Sequence, residues 1–248
     1  MNHTIETILN HRSIRKFTDD KLTEEQIHTL IQAAQQASSS SNVMAYTIIG
    51  VTDPFLKEEL RKVSGQPYVE NNGHLFVFCG DLHRISQLAT REEQVQMQET
   101  LESTEQFIVT TIDAALSAQN LAIAAESMGL GICFLGSLRN DIYHVSELLR
   151  LPKYVIPLFG MAVGTPAHRP ELKPRLPFEA VYHENKYQSF ESQQTAISAY
   201  DIELQNYYQH RTSNTRTDTW TEQMIRKYQN TVRMDVSSYV KDQKLNKR

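Results

Sequence analysis

The chain has 248 residues, with 25 Lys and Arg against 29 Asp and Glu. That length can bury a large core, and the net charge of −4 gives no general affinity for nucleic acid or an anionic membrane. Two cysteines, Cys79 and Cys133, each stand in an apolar run, which reads as buried free thiols in a reducing, cytoplasmic setting and argues against a disulfide or a metal centre.

In chain order, His11-Arg12-Ser13-Ile14-Arg15 sets two guanidinium groups three positions apart around a hydroxyl. On a helical turn they share a face, and forked donors of fixed charge suit a phosphate, although a solvated helix edge carries the same letters. Thr23 to Gln26 has capping-box spacing and opens a helix with Ile27, Leu30, Ile31 and Ala34 on its apolar face. The run Ser38–Ser41 and Asn42 follow as a hydroxyl-rich loop, open either to a sugar or polyol chain or simply to water. Tyr46–Val51 reads as a strand, Asp53-Pro54 starts a helix to about Val63, and Leu75–Cys79 is a second, buried strand. After a charged stretch comes a long helix, from about Ser103 to Met128, apolar on most of its circumference and stopped by Gly129. It must be covered on several sides, by one large domain or by a second subunit. Even so, no apolar run approaches the ~20 residues that span a bilayer, so no membrane partner is expected.

Ile132–Leu135 is the third strand and Val155–Val163 the fourth, with Gly136-Ser137-Leu138-Arg139 as a turn between strand and helix that exposes backbone N–H groups. Strands bounded by glycine and alternating with helices predict an α+β or α/β domain with a mixed sheet. In Arg169 to Pro177, proline on both sides of Lys173 holds the backbone extended, so Lys173 and Arg175 point the same way; a charged edge segment would look alike. Residues 182–248 have too few large aliphatics for a second core and read as an extension of a single domain spanning 1–248, with helices near Ile197–Gln209 and Thr219–Lys227. The basic residues after Arg226 are interrupted by Asp235 and Asp242, which argues against nucleic acid.

Together these segments carry a resemblance. His11–Arg15, Ser38–Ser41, Ser64-Gly65-Gln66, Ala124–Gly131, Gly136–Asn140, Pro157–Gly160, Lys173–Pro177 and Asp218–Trp220 recur in this order in the flavin-dependent nitroreductases, in their oxygen-insensitive, NADPH-preferring branch. The resemblance implies an α+β fold with a mixed sheet between helices, a homodimer with its active sites at the interface, and a C-terminal excursion embracing the partner. It implies FMN as cofactor, NADPH as electron donor, and a small acceptor such as a nitroaromatic, a quinone or free flavin. One pocket used twice implies ping-pong kinetics. The flavin carries the chemistry, so no side chain is assigned as acid or base and no metal is expected. A protein that only binds or carries FMN is the alternative.

Position by position, the resemblance makes His11, Arg12, Ser13, Lys173 and Arg175 the FMN phosphate site, and Arg15 the cation beside the N1 and O2 edge of the ring system. Gln66 reads the pyrimidine edge, Ser39 is a hydroxyl near the flavin, and Gly136 and Ser137 form the turn whose N–H faces N5. Arg139, Arg211 and Arg216 engage NADPH, the last two around its 2′-phosphate. Two positions depart from the family pattern. Ser137 replaces a usual glycine and narrows the space above the ring, and Asn42 stands on the substrate face where relatives place an aromatic side chain.

Overall fold

The computed structural model describes residues 1–211 and 215–248. Thr212, Ser213 and Asn214, the middle of the expected coenzyme loop, lie outside the described residues.

Four strands form the sheet: β1 (Tyr46–Val51), β2 (His74–Asp81), β3 (Gly131–Leu135) and β4 (Val155–Gly164), in the order β1-β2-β4-β3. Every neighbouring pair is antiparallel, with a register irregularity between Phe78 and Cys79 where β2 meets β4. The sheet is mixed only at its edge, where Ser13 makes a single parallel bridge to Ile132. Strand β2 is buried at every residue, as its unbroken apolar run requires when both faces are covered.

The preceding helices are α1 (His3–Leu9), α2 (Glu24–Gln35) and α3 (Pro54–Ser64). Thr23 and Gln26 close the predicted capping box on α2, while Asp53 caps α3 with Pro54 in its first turn. The charged stretch 83–101 contains two helices that the sequence reading passed over, α4 (His83–Leu88) and α5 (Arg91–Leu101). Helix α6 runs Thr104–Ser127, within a residue of expectation. By length and composition α6 could cross a bilayer, which corrects the expectation that no segment approaches that limit. Its long apolar run is instead core: Ala118, Leu121, Ala122 and Ala125 pack with Leu30 of α2 and with Phe76 and Phe78 of β2. Helix α7 (Ile142–Leu148) follows the turn after β3.

The chain divides into two compact units, Met1–Pro170 with Arg233–Arg248, and Glu171–Val232. The first holds the sheet and three apolar clusters, and it is completed by α10 (Val236–Asp242), whose Tyr239 and Val240 are buried with Leu82, Ile142 and Ile156. The second contains α8 (Phe190–His210) and α9 (Trp220–Gln229). Its own core is small and largely aromatic: Tyr200, Leu204 and Tyr208 with Leu176, Tyr207 and Trp220. Tyr200 donates its hydroxyl to the Pro174 carbonyl at 3.1 Å.

Candidate functional site

Residues 11–15 are extended, not helical, which corrects the expected turn. The backbone has a better partner than itself: Ile14 N–H donates to Ile132 O at 2.8 Å, adding this segment to the edge of β3. Side chains therefore alternate. Ile14 is 3% exposed and lies so close to Gly131 that a Cβ there would meet its Cγ1 at 2.4 Å. Ser13 and Arg15 fall on the opposite side, both beside the Cys133 thiol, with Arg15 also beside Tyr68. Burial pushes the Cys133 thiol and the Tyr68 hydroxyl up from their ordinary values, the Arg15 charge opposing this in both. Arg15 is thus an exposed cation beside two neutral, protonated groups.

The His11 ring is held by Glu126, with Nδ1 2.7 Å from Oε1. Among the described residues Arg12 donates to neutral oxygens, those of Asn10 and Pro170, so its charge stays available. Arg12 and Glu126 border a pocket of about 350 Å³ together with His3, Glu6 and Arg169. The structure therefore separates the predicted cluster into Arg12 facing this pocket and Ser13 with Arg15 facing Tyr68.

Helix α3 ends at Gly65, whose φ of +68° is the left-handed conformation that favours glycine at a helix C-terminus. The chain then leads into Gln66, half-buried, and Tyr68. Neither Tyr68 nor Cys133 carried a role in the sequence reading; both sit two or more residues outside the motifs and are brought in by the fold.

The turn after β3 is a 3-10 helix, Gly136–Asp141. Ser137 turns its hydroxyl to the buried Ser64, Oγ to Oγ 2.6 Å, so the departure from glycine is absorbed by a hydrogen bond. Arg139 donates to the Leu158 carbonyl of β4 and lies 3.3 Å from where a Cβ on Gly136 would stand. Burial, then the neighbouring Arg233, lowers its pKa. In this structure its guanidinium braces the turn.

The loop carrying Ser39 and Asn42 is held from α6. Asp113, 1% exposed, accepts the Ser40 N–H on one oxygen and the Ala45 N–H on the other, each at 3.0 Å. Between these anchors Ser41 and Asn42 have φ of 48° and 59°. Asp113 was missed in the sequence, where its one signal was a lone acid within an apolar helix.

In the second unit, Arg175 Nη1 donates to the Lys173 carbonyl at 3.0 Å. Arg211 and Arg216, at the ends of the expected loop, both stand over the Tyr208 ring. Among the described residues no group of acids, histidines or cysteines could hold a metal.

Residues 8–165 match the nitroreductase family model, and 173–248 match the model of the nitroreductase family C-terminal domain. The chain is 53% identical over 249 residues to an FMN reductase (NADPH) of Bacillus subtilis, with both chains fully covered. Among solved structures it resembles the NfrA1 nitroreductase of B. subtilis, at 52% identity and a TM-score of 0.95 over 99% of this chain and 100% of that one. The NADPH:FMN oxidoreductase of Vibrio harveyi, complexed with NAD+, aligns over 100% of each chain at 40% identity and a TM-score of 0.88. The chain belongs to the nitroreductase family.

Proposed function

We propose that the protein is an FMN-dependent oxidoreductase that uses NADPH to reduce small acceptors such as nitroaromatics, quinones or free flavin. The observation that carries the reading is the cation Arg15, held at the β3 edge with Ser13, Tyr68 and Cys133, in a chain matched end to end by an FMN reductase (NADPH). The donor set fits FMN: an uncompensated guanidinium for an electron-rich ring edge, and Arg12 with neutral partners only for a phosphate. When bound, the flavin supplies the redox chemistry.

The chain's own residues bind and orient. Arg15 stabilises negative charge at the N1 and O2 edge, and Gln66 orients the pyrimidine edge. In the first unit, Ser13 on the side of Arg15 and Arg12 with neutral partners would each supply donors for the phosphate, and the Glu126 contact fixes the His11 ring. Backbone N–H groups of Gly136 and Ser137 would serve as donors to the flavin when it is bound, and Ser64 holds the Ser137 hydroxyl. Ser39 and Asn42 lie on the loop that Asp113 anchors and border the acceptor. Arg211 and Arg216 would recognise the coenzyme 2′-phosphate, and in the first unit Arg139 braces the turn after β3.

The active unit in this reading is a homodimer. Ile108, Ile112 and Leu116 repeat every four residues on α6 and are 45%, 50% and 43% exposed, an apolar stripe that a second copy would cover. The two buried free thiols fit a reducing cytoplasm.

The test is the visible spectrum of the purified protein and steady-state kinetics with both coenzymes. The protein is expected to carry FMN, to oxidise NADPH when an acceptor is added, and to prefer NADPH to NADH; bound FMN without turnover would favour a flavin carrier. Replacing Arg211 and Arg216 together with alanine should reduce the coenzyme preference roughly a hundredfold, since two charge-assisted hydrogen bonds contribute ~1.5–3 kcal/mol each. The preference should also weaken as salt is raised.

A further inference from the structure

One buried asparagine ties the segment that carries Gln66 to the core of the first unit. Helix α3 ends at Gly65, Gln66 follows, and Pro67–Val69 form a 3-10 turn in which Val69 N–H donates to Gln66 O at 3.1 Å. Such a turn leaves its last carbonyls without partners of its own. Asn72, 1% exposed, supplies them: its Nδ2 donates to Tyr68 O at 2.8 Å and to Val69 O at 2.9 Å. Val69 also packs in the apolar core, and Arg61 Nε stands 2.6 Å from Glu70 Oε2. Both of these grip the chain beyond Tyr68, whereas Asn72 holds the Tyr68 carbonyl, closer to Gln66.

The two bonds require the Asn72 amide to face one way, and its neighbour on the other side decides which. Lys57 of α3, itself buried, donates Nζ to Asn72 Oδ1 at 2.8 Å. An ammonium group can only donate, so Oδ1 must face it and Nδ2 must face the carbonyls. On the main chain, Lys21 Nζ donates to Asn72 O at 2.9 Å. Burial, then the Lys21 charge, lowers Lys57 to about 8, with Glu70 opposing the shift. Burying an ammonium group costs stability that an aliphatic side chain would not, and what Lys57 contributes against that cost is the fixed amide.

We propose that Asn72, oriented by Lys57, is a positioning residue for the flavin: by fixing the Tyr68 and Val69 carbonyls it aims the Gln66 amide at the pyrimidine edge of FMN. The proposal rests on the reading of Gln66 as the residue of that edge and adds what holds it there. Asn72 acts from beneath, through the turn, and leaves the contact itself to Gln66.

The experiment is fluorescence titration of the full-length protein, freed of flavin, with FMN, riboflavin and 3-methyl-FMN. Riboflavin lacks the phosphate, and 3-methyl-FMN lacks the N3–H of the pyrimidine edge. The wild type should bind FMN about tenfold more tightly than 3-methyl-FMN, as the loss of one hydrogen bond in a fitted site implies. Asn72→Asp keeps the volume and the Lys57 contact but sets acceptors against the two carbonyls. It should bring the FMN to 3-methyl-FMN ratio close to equality while leaving the FMN to riboflavin ratio at its wild-type value. Far-UV circular dichroism shows whether a variant is folded. Should Asn72→Asp fail to fold, Lys57→Met removes only the donor that orients the amide, and should lower the first ratio several-fold with the second unchanged. A folded variant that keeps both ratios overturns the proposal. So does one that loses both in parallel, because the contact then supports the whole site and not its pyrimidine edge. Gln66→Ala separates the two levels. If it discriminates between FMN and 3-methyl-FMN as well as the wild type does, the Gln66 reading fails; if it loses that discrimination while Asn72→Asp retains it, Asn72 alone is misassigned.

Discussion

Arg15 is effective because, among the described residues, it makes no salt bridge and stands beside the neutral groups Tyr68 and Cys133. Tyr68 and Cys133 are both pushed up by burial and remain protonated at neutral pH, so the guanidinium field is spent on a ligand. Arg15→Ala should weaken FMN binding and make the bound flavin harder to reduce, with a lost interaction of about 1.4 kcal/mol for each tenfold change. The midpoint potential of the FMN-loaded variant measures this, and an unchanged value would contradict the placement. The letters of this segment were legible in the sequence but its backbone was not. Arginines three apart suggest a helical face, yet the partner that extends the segment, Ile132, lies more than a hundred residues away and leaves no local signal. Tyr68 and Cys133 were illegible for the same reason: their role comes from pairing across the fold.

At the scale of elements, α6 combines two demands. Its apolar run supplies the core, as its composition announced, but Asp113 in the middle of that run also anchors the Ser40–Ala45 loop. Asp113→Asn replaces one acceptor by a donor facing an N–H, which should destabilise the protein by ~1–3 kcal/mol and raise the Michaelis constant for the acceptor more than that for NADPH. Chemical denaturation and kinetics with varied acceptor check the two halves separately. Strands and the long helix were readable because each is a strong, continuous period. Helices α4 and α5 were not, since they are short and only weakly apolar on one face, although Thr90 and Glu93 form a capping box that marks the start of α5.

For the whole molecule, acid and association are the informative stresses. His74 is buried in β2, and burial with the nearby Lys57 charge holds its imidazole down at about 4 against the usual 6.5. The unfolded chain therefore binds a proton near pH 6.5 that the folded one refuses until about 4, so stability is full above 6.5 and falls between these values, by up to about 1.4 kcal/mol per pH unit. Thermal melts across that window should slope downward for the wild type and flatten in His74→Phe. Association is tested on the stripe of α6: Ile112→Glu places a charge in the exposed apolar row and should convert a dimer to monomers in sedimentation, whereas an unchanged mass would move the interface elsewhere.

The return of residues 233–248 to the first unit sets the order in which the protein can be completed during synthesis. Tyr154 N–H donates to Gln243 O at 2.9 Å, Lys247 N–H to Glu102 O at 2.8 Å, and the Glu102 side chain, almost wholly buried, faces Lys247 and Arg248. These partners are translated after the whole of Glu171–Val232, 62 residues that belong to the other unit. At about 5–20 residues per second a ribosome needs several seconds to cross that stretch. For that interval the nascent sheet is complete in sequence, yet Leu82 and Ile156 lack the covering of Tyr239 and Val240. The exposed apolar surface would make the half-made chain a client for chaperones, and the second unit is free to fold first on its own aromatic cluster.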